Sequence, residues 1–502
     1  MPIIDNDLLS VQEARILAEQ AREAQALLRA LPASLTDAAV AAVLDLVRSE
    51  AKALAEQTVL ETDYGNIEDK YIKLRFLCER MPQVLNGKNY RGILRPAYGG
   101  EIGEVGIARG PLVVILPSTN PVVTAAHILT VALKSGNVSI FVPPKRARNT
   151  LSAFFDKVSA CLEKLGLPSN TVGFLHTVAA AGIRTLCEHP ATGLIVNSCA
   201  PAAMPSVRAS GKPFIYGSMG NNPVFVEKTA NLPQAALDII SSRSFDHGLL
   251  PGAEQSIVVD IAVESAFAQA FAAAGAYFMN PDEAQALANV AFDNEGRYKS
   301  EFVGKNAVEL ARRAGFQVPD NKKVLVAKEP YVSQQSLYRK EKWAPILAWY
   351  PEADWEEACE KCIELLLDED GGHSMVIYSR DEAVIEQFAL RKPVGRLLIN
   401  TPAAFGAIGM TTDLYPSFTL GSGNPKSGWS PDNLNPENLI YLRKLARPVR
   451  RIDAALAAYC GSVENICPIS DKQVEDTAAG GVEDPLLDSF NAFLEVLSHQ
   501  TY

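Results

Sequence analysis

The sequence is poor in cysteine, in basic residues and in long apolar runs. Eight cysteines among 502 residues are too few for a disulfide scaffold, so we expect reduced thiols. No apolar run approaches the roughly 20 residues of a membrane-spanning helix, and the polar start MPIIDNDLLS is unlike a signal peptide. The net charge of −11 argues against nucleic acid or an anionic membrane as the main partner. These absences predict a cytoplasmic protein that binds neither.

Metal-ligand patterns are also scarce. Cys359 and Cys362 form a CxxC, but they follow a helical period among the apolar residues of DWEEACEKCIELLL. A second ligand pair at the spacing of a zinc site is missing from the sequence. Packing in a core is therefore favoured over metal binding, and we expect no metal cofactor.

The main feature that is present is an alternation of strand-like and helix-like segments. The first 90 residues have apolar positions at helical spacing. From about residue 100, short β-branched runs such as GPLVVILP and TGLIVN alternate with helical stretches, and a second such series begins after Asn222. This alternation is typical of βαβ units. The sequence therefore predicts an α/β fold with two Rossmann-like domains, mainly parallel sheets and a crevice of cofactor size.

The two series also predict domain boundaries. We expect residues 1–222 to form a helical N-terminus with a cofactor-binding-like domain, and 223–430 to form a catalytic-like domain. Residues 431–450 would return to the first domain, and 451–502 would form a tail. The tail has a polar linker and an amphipathic helix at 485–500. Its apolar face predicts docking on the same subunit, on an oligomer mate or on another protein.

Many short motifs follow one another in a recognisable order: ILPSTNP, SGKP, GNNPVFVE, SFDHG with AEQSIVV, EKWAPILAWY, GGHSMVIYS, GRLLINTPAAFGAIG and FTLGSGNPKSGWSPDNL. In these motifs the chain resembles the CoA-acylating aldehyde dehydrogenases, especially the aldehyde dehydrogenase half of bifunctional aldehyde-alcohol dehydrogenases and the sulfoacetaldehyde-type enzymes. The resemblance spans roughly residues 5–448. It implies an aldehyde dehydrogenase-like fold, NAD or NADP, CoA, an aldehyde, acyl thioester or related carbonyl substrate, and a homo-oligomer.

The resemblance also implies a nucleophile, and here the chain departs from the family. In such enzymes a cysteine thiolate attacks the carbonyl, and the oxyanion is held by that cysteine's backbone N–H and by an asparagine amide. The cysteine follows an FDNG turn by two apolar residues. Counting from the turn at 245–248, with Glu254 and Gln255 as a second anchor, its position is Pro251. Proline has neither sulfur nor N–H, so this catalytic position is expected to have lost both functions.

A second departure affects the nucleotide. The family has a Gly-Gly pair where the cofactor approaches the backbone, and LIVNSCAPAAMP places Cys199 and Ala200 there. Side chains at this point argue against ordinary dinucleotide binding. If a helix over 200–209 begins beside Cys199, its N-terminus would stabilise a thiolate and make Cys199 a candidate nucleophile. The alternative is a small packing residue.

Other residues match family positions, each with an alternative. Asn120 would be the oxyanion asparagine, or a turn residue that caps the helix from Pro121. His373 would handle protons or CoA, or belong to an ordinary loop. His247 would be a new acid/base group, or a substitute in its turn. The remaining candidates for cofactor contacts are Ser118, Thr119, Pro143, Lys145, Gly220 and Gly421, and for Lys145 a solvated helix start explains the pattern equally well.

Two functions follow from these observations. The first is an oxidoreductase or an acyl- or carbonyl-processing enzyme whose mechanism is altered because Pro251 replaces the nucleophile. The second is a catalytically degenerate homologue with a structural, assembly or regulatory role. The two differ in whether NAD, NADP or CoA binds the protein.

Overall fold

The chain begins with a helical region, as the apolar spacing of its first 90 residues predicts. The computed structural model describes residues 5–98, 101–217, 220–333, 335–367, 372–423 and 430–449. Asp5 caps the first helix because its side chain accepts from the N–H groups of Asp7 and Leu8. The helices of this region are α1 (Asn6–Ala30), α2 (Ala33–Thr62) and α3 (Ile67–Leu85).

A five-stranded parallel sheet follows in the order β5-β4-β3-β6-β7. The chain runs from β3 through β4 to β5 on one side and continues with β6 and β7 on the other. Such a reversal opens a crevice at the carboxyl ends of the strands. The elements are β3 (Leu112–Ile115), α4 (Pro121–Lys134), β4 (Ser139–Val142), α5 (Arg148–Lys164), β5 (Val172–Phe174), α6 (Ala180–Glu188), β6 (Leu194–Ser198), α7 (Met204–Ala209) and β7 (Phe214–Gly217).

A seven-stranded parallel sheet is built from the second series, in the order β10-β11-β12-β9-β8-β13-β14. Its strands are buried β-branched and aromatic runs, which suit a sheet that helices cover. The elements are β8 (Pro223–Val226), α8 (Leu232–Ser244), β9 (Ser256–Asp260), α9 (Glu264–Ala274), β10 (Ala276–Phe278), α10 (Pro281–Ala291), α11 (Ala307–Arg313), β11 (Val324–Lys328), β12 (Ile346–Glu352), α12 (Trp355–Leu367), β13 (Ser374–Tyr378), α13 (Glu382–Arg391), β14 (Arg396–Ile399) and α14 (Ala403–Ala407). The predicted α/β class with mainly parallel sheets is confirmed.

A small antiparallel sheet, which the alternation did not predict, has the order β1-β2-β15. Its strands are β1 (Gly92–Arg95), β2 (Gly103–Ala108) and β15 (Ile440–Leu445). Strand β15 pairs with β2 from Ile440 opposite Ala108 to Leu445 opposite Gly103. Residues Ile440–Leu445 thus pair with the N-terminal half, whereas the predicted return segment 431–450 and the boundaries at 222 and 430 remain predictions.

Contacts group residues 1–96 and 103–445 into one compact unit, so both parallel sheets belong to it. The second unit comprises residues 97–102 and 446–502, and the predicted tail helix at 485–500 lies outside the described residues. No single described helix is both long and apolar enough to cross a membrane. The bent pair α1–α2 meets that criterion only when the two helices are taken together.

The CxxC of α12 is packed inside the protein. Cys359 and Cys362 are both fully buried, and the Lys392 ammonium donates to the sulfur and to the carbonyl oxygen of Cys359 at 2.7 and 2.6 Å. Over the described ranges, no three His, Cys, Asp or Glu side chains are placed to share a metal ion. The surroundings of this pair are those of a core, as the packing interpretation requires.

Candidate functional site

One cavity lies at the crevice where the two parallel sheets face each other. It encloses about 720 Å³ including its open mouth. Its walls are the segments that follow β3, β6 and β7 and those that precede β8, β9 and β13. The segments after β3, β6 and β7 lie at the carboxyl ends of the five-stranded sheet, the edge at which open α/β sheets bind ligands. The cavity is therefore the candidate active site.

The FDHG turn beside this cavity has an unusual backbone. Asp246 and His247 have φ angles of 47° and 54°, a region that side chains other than glycine rarely adopt. The start of α3 holds the turn in place: the N–H of Asp246 donates to Asp69 at 2.7 Å, and the Asp246 carboxylate accepts from the N–H of Asn66 at 3.0 Å. Gly65 is needed beside it, because a Cβ there would lie 1.9 Å from the Asp246 carboxylate.

Two lysines of α3 neutralise the buried Asp246. Lys70 lies 3.0 Å from the carboxylate, and Lys73 is paired with the same oxygen. Burial lowers the pKa of Lys73 to about 8, although Asp246 opposes this effect. Burial would by itself raise the pKa of Asp246, but the charges of Lys70 and Lys73 outweigh it and the pKa is lowered. Neither lysine was predicted from the sequence. The pattern that could have indicated them is two lysines, three residues apart, among the apolar residues of α3.

Lys73 also fixes the amide of Asn120. Its ammonium donates to Asn120 Oδ1, and Asn120 Nδ2 donates to the carbonyl oxygen of Leu249 at 2.7 Å. An ammonium can only donate, so the amide cannot turn over without losing both bonds. The side chain makes no capping bond to α4, which excludes the alternative in which Asn120 is only a helix cap. It lines the cavity instead.

Pro251 lines the same cavity as Asn120. It is half-buried and follows the buried Leu249 and Leu250. A proline at this wall offers no thiol and no N–H to a ligand. A residue without donor or nucleophile and an oriented amide thus line one cavity.

Cys199 is among the residues that line the cavity, but its surroundings are unlike those of a reactive cysteine. Burial and the charge of Glu341 raise the pKa of the thiol well above its usual value, whereas a nucleophilic cysteine needs a lowered one. The helix expected over 200–209 begins only at Met204, after a 3₁₀ turn at Pro201–Ala203. The expected first residue of this helix was therefore wrong, because Asn197 holds the residues between strand and helix in a turn.

The same turn differs from a glycine-rich phosphate-binding turn. Cys199 has a φ of 60°, a backbone conformation in which glycine is the unstrained residue. The N–H of Ala200 donates to Asn197 Oδ1 at 2.9 Å, and Asn197 Nδ2 donates back to the Ala200 carbonyl at 3.0 Å. A phosphate at this turn would need such an N–H to be free. The backbone donor is therefore already used by the protein.

His373 lies in the cavity wall as a neutral, oriented ring. Burial and the Arg396 guanidinium lower its pKa to about 3. Arg396 donates to Ser374 Oγ at 3.2 Å, and the same oxygen is hydrogen-bonded to His373 Nδ1 at 2.9 Å. If the hydroxyl donates to Nδ1, the proton of the neutral ring is on Nε2. That atom faces Gly220, where a Cβ would lie only 2.2 Å away, so Gly220 makes room for the ring.

The structure gathers only some of the expected residues. Ser118, Thr119 and Gly220 line the cavity together with Pro251, Asn120, Cys199 and His373. His247 does not line it, and its Nδ1 donates to the Gly304 carbonyl at 2.8 Å, as a substitute turn residue would. The other candidates outside its lining are Pro143, Lys145, Ala200 and Gly421.

Comparisons with known proteins agree with this architecture. The model of the aldehyde dehydrogenase family matches residues 3–411. The bifunctional aldehyde-alcohol dehydrogenase of Escherichia coli (strain K12) is 32% identical over 404 residues, 78% of this chain and 45% of that enzyme. The chain thus spans about half the length of the bifunctional relatives it matches.

Solved structures show the likeness over most of the chain. An acetylating aldehyde dehydrogenase from Geobacillus thermoglucosidasius has a TM-score of 0.85 at 32% identity, covering 90% of this chain and 99% of that one. A propionaldehyde dehydrogenase from Rhodopseudomonas palustris, solved with bound CoA and an acylated cysteine, has the same fold at a TM-score of 0.78 and 24% identity, covering 86% and 97%. The chain therefore belongs to the aldehyde dehydrogenase family.

Proposed function

We propose that this protein is an acyl- or carbonyl-processing enzyme of altered mechanism. It binds a small aldehyde, an acyl thioester or a related carbonyl compound in the cavity, without forming a covalent bond at residue 251. The observation that supports this proposal most is that Pro251 shares the cavity with Asn120 and His373. The groups that would hold a carbonyl are present, and the residue at the expected nucleophile position has no nucleophilic atom.

The chemistry at such a site is binding and polarisation. Asn120 has a fixed amide that donates one N–H to the Leu249 carbonyl, and the neutral His373 ring can donate from Nε2. Donors aimed at a carbonyl oxygen draw charge onto that oxygen and make its carbon more electrophilic. The attacking group would come from the ligand side or from water, because the Cys199 thiol keeps its proton. The ligand would be a CoA thioester, and a propionaldehyde dehydrogenase from Rhodopseudomonas palustris was solved with bound propionyl-CoA.

A nicotinamide step is not part of the proposal. When bound in relatives, NAD or NADP accepts a hydride, but the turn at Cys199 and Ala200 does not fit the phosphate of such a cofactor. An oxidoreductase role agrees with the dehydrogenases that this chain resembles and is the other form of the same prediction. The cytoplasmic location, the homo-oligomer and the docking of the tail helix at 485–500 likewise remain predictions from composition and resemblance.

The second candidate is a catalytically degenerate homologue with an assembly or regulatory role. The observation that favours it is the turn held by Asn197, since that turn removes a nucleotide contact in addition to the loss at Pro251. A protein of this kind would bind neither nucleotide nor thioester.

Thermal unfolding with added ligand distinguishes the two. We expect propionyl-CoA to raise the unfolding temperature, because a ligand at 100 times its Kd stabilises the folded state by about 2.7 kcal/mol, and we expect no response to NAD or NADP. The variant N120A should lose most of the response, whereas N289A, at an exposed position of α10, should keep it. A flat response to all ligands would favour the degenerate homologue.

A further inference from the structure

Thr124 is a buried hydroxyl that faces the cavity. It lies in the first turn of α4, has no exposed surface and lines the cavity. Within the described part of the chain, its Oγ1 finds no hydrogen-bond partner. A buried hydroxyl left without a partner costs free energy. A ligand oxygen in the cavity would remove that cost.

The other buried threonines of the helices behave differently. Thr130, later in α4, donates to the Ala126 carbonyl at 2.7 Å. Thr58 and Thr62 of α2 likewise donate to the carbonyl four residues earlier, at 2.6 Å each. This back-bonding is the usual way for a helical threonine to use its hydroxyl. Thr124 lacks it, although Asn120 offers its carbonyl at the matching position and already accepts from the N–H of Thr124 at 3.1 Å.

Asn120 and Thr124 form a matched pair of donors. Asn120 is the N-cap of α4, Thr124 lies in the first turn of that helix, and both residues line the cavity. The Asn120 amide gives one N–H to Leu249, and an amide nitrogen has two. One amide N–H and one hydroxyl therefore remain for a ligand at the positive end of α4, where the helix dipole favours an electron-rich atom.

We propose that Asn120 and Thr124 together bind the carbonyl oxygen of the ligand and replace the N–H that proline removes at residue 251. This inference rests on the proposed function, because it assigns the donors of that same site. The ligand class is a small carbonyl compound or acyl thioester whose oxygen accepts from both groups. Binding forms two hydrogen bonds and no covalent bond. Thr124 is then a substrate-contacting residue.

The test compares two ligands that differ only at the carbonyl: propionyl-CoA and S-propyl-CoA, in which a CH₂ group replaces the C=O. Isothermal titration of the full-length chain gives the ratio of their Kd values, which we call the carbonyl preference. The variant T124V, which keeps the shape of the side chain without its hydroxyl, should reduce this preference about fivefold. T124S should keep it. T130V makes the same change in the same helix and should leave the preference unchanged.

An infrared measurement gives a second readout on the same proteins. With an isotope-labelled carbonyl in propionyl-CoA, the C=O stretch should move to higher frequency in T124V than in the wild-type complex, because one hydrogen bond is lost. Unfolding midpoints of T124V and T124S show whether each variant is folded.

Each outcome is decisive. If both ligands bind and T124V leaves the carbonyl preference and the C=O frequency unchanged, the assignment of Thr124 is wrong while the proposed function stands. If the wild-type chain binds both ligands equally, the assignment is wrong as well. If neither ligand binds the wild-type chain, the proposed function fails together with it.

Discussion

Replacing Lys73 with methionine is expected to destabilise the protein by about 3 kcal/mol. The side chains of Lys73 and Asp246 are only 1% and 0% exposed, so K73M removes one partner of an ion pair that water cannot reach. The Asp246 carboxylate keeps Lys70 and the N–H of Asn66, each at 3.0 Å. Because these partners remain, we expect the loss of stability to be at the low end of the range for a buried ion pair that has lost one member.

The matched control is K157M, because Lys157 pairs with Glu50 at 2.8 Å while the two side chains are 53% and 33% exposed. Such pairs contribute about 1 kcal/mol or less. Urea unfolding followed by circular dichroism gives both values, and D246N, alone and combined with K73M, gives the coupling between the two positions. A loss in K73M no larger than in K157M, or an absence of coupling, would refute the claim that this pair anchors the turn to α3.

Three further predictions concern the cavity and its surroundings. P251C should form a thioester when it is incubated with propionyl-CoA, whereas P251A, which restores only the N–H, should form none; a folded P251C without adduct would show that residue 251 is not at the acyl-accepting position. The double variant C199G/A200G should gain a thermal response to NAD, because it removes two side chains and relieves the backbone strain at residue 199. An NAD response already present in the wild type would contradict the inference that this turn hinders nucleotide binding. Burial raises the pKa of Glu254 to about 7 from 4.5, so the folded state binds this proton more tightly than the unfolded one, and stability falls as pH rises through that window. E254Q should therefore gain about 3 kcal/mol relative to wild type between pH 4 and pH 8, and an unchanged difference in urea unfolding would contradict the burial of that charge.

The parallel sheets were predictable because their strands are buried on both faces. Runs such as LVVI of β3 and SIVV of β9 are apolar throughout and alternate with amphipathic helices, a pattern that has few other interpretations. The antiparallel sheet was missed for the opposite reason. Strands β1 and β15 are mostly exposed, so GILR and IYLRKL contain no regular apolar pattern.

The site was predictable only where a motif gave the residue. Pro251, Asn120 and His373 came from the order of motifs, and the structure places all three at one cavity. The bond between Lys73 and Asp246 joins residues 173 positions apart. The periodicity of apolar residues in a sequence gives no information about such a contact. The unused hydroxyl of Thr124 was equally hidden, because a sequence does not show which threonine bonds back to its own helix.

The measurement that tests the central claim most directly is the intact mass of the wild-type protein, denatured after incubation with an excess of propionyl-CoA. We expect an unchanged mass, although the same sample binds the ligand under native conditions. An acyl group found on Cys199, or on any other side chain of the cavity, would contradict it.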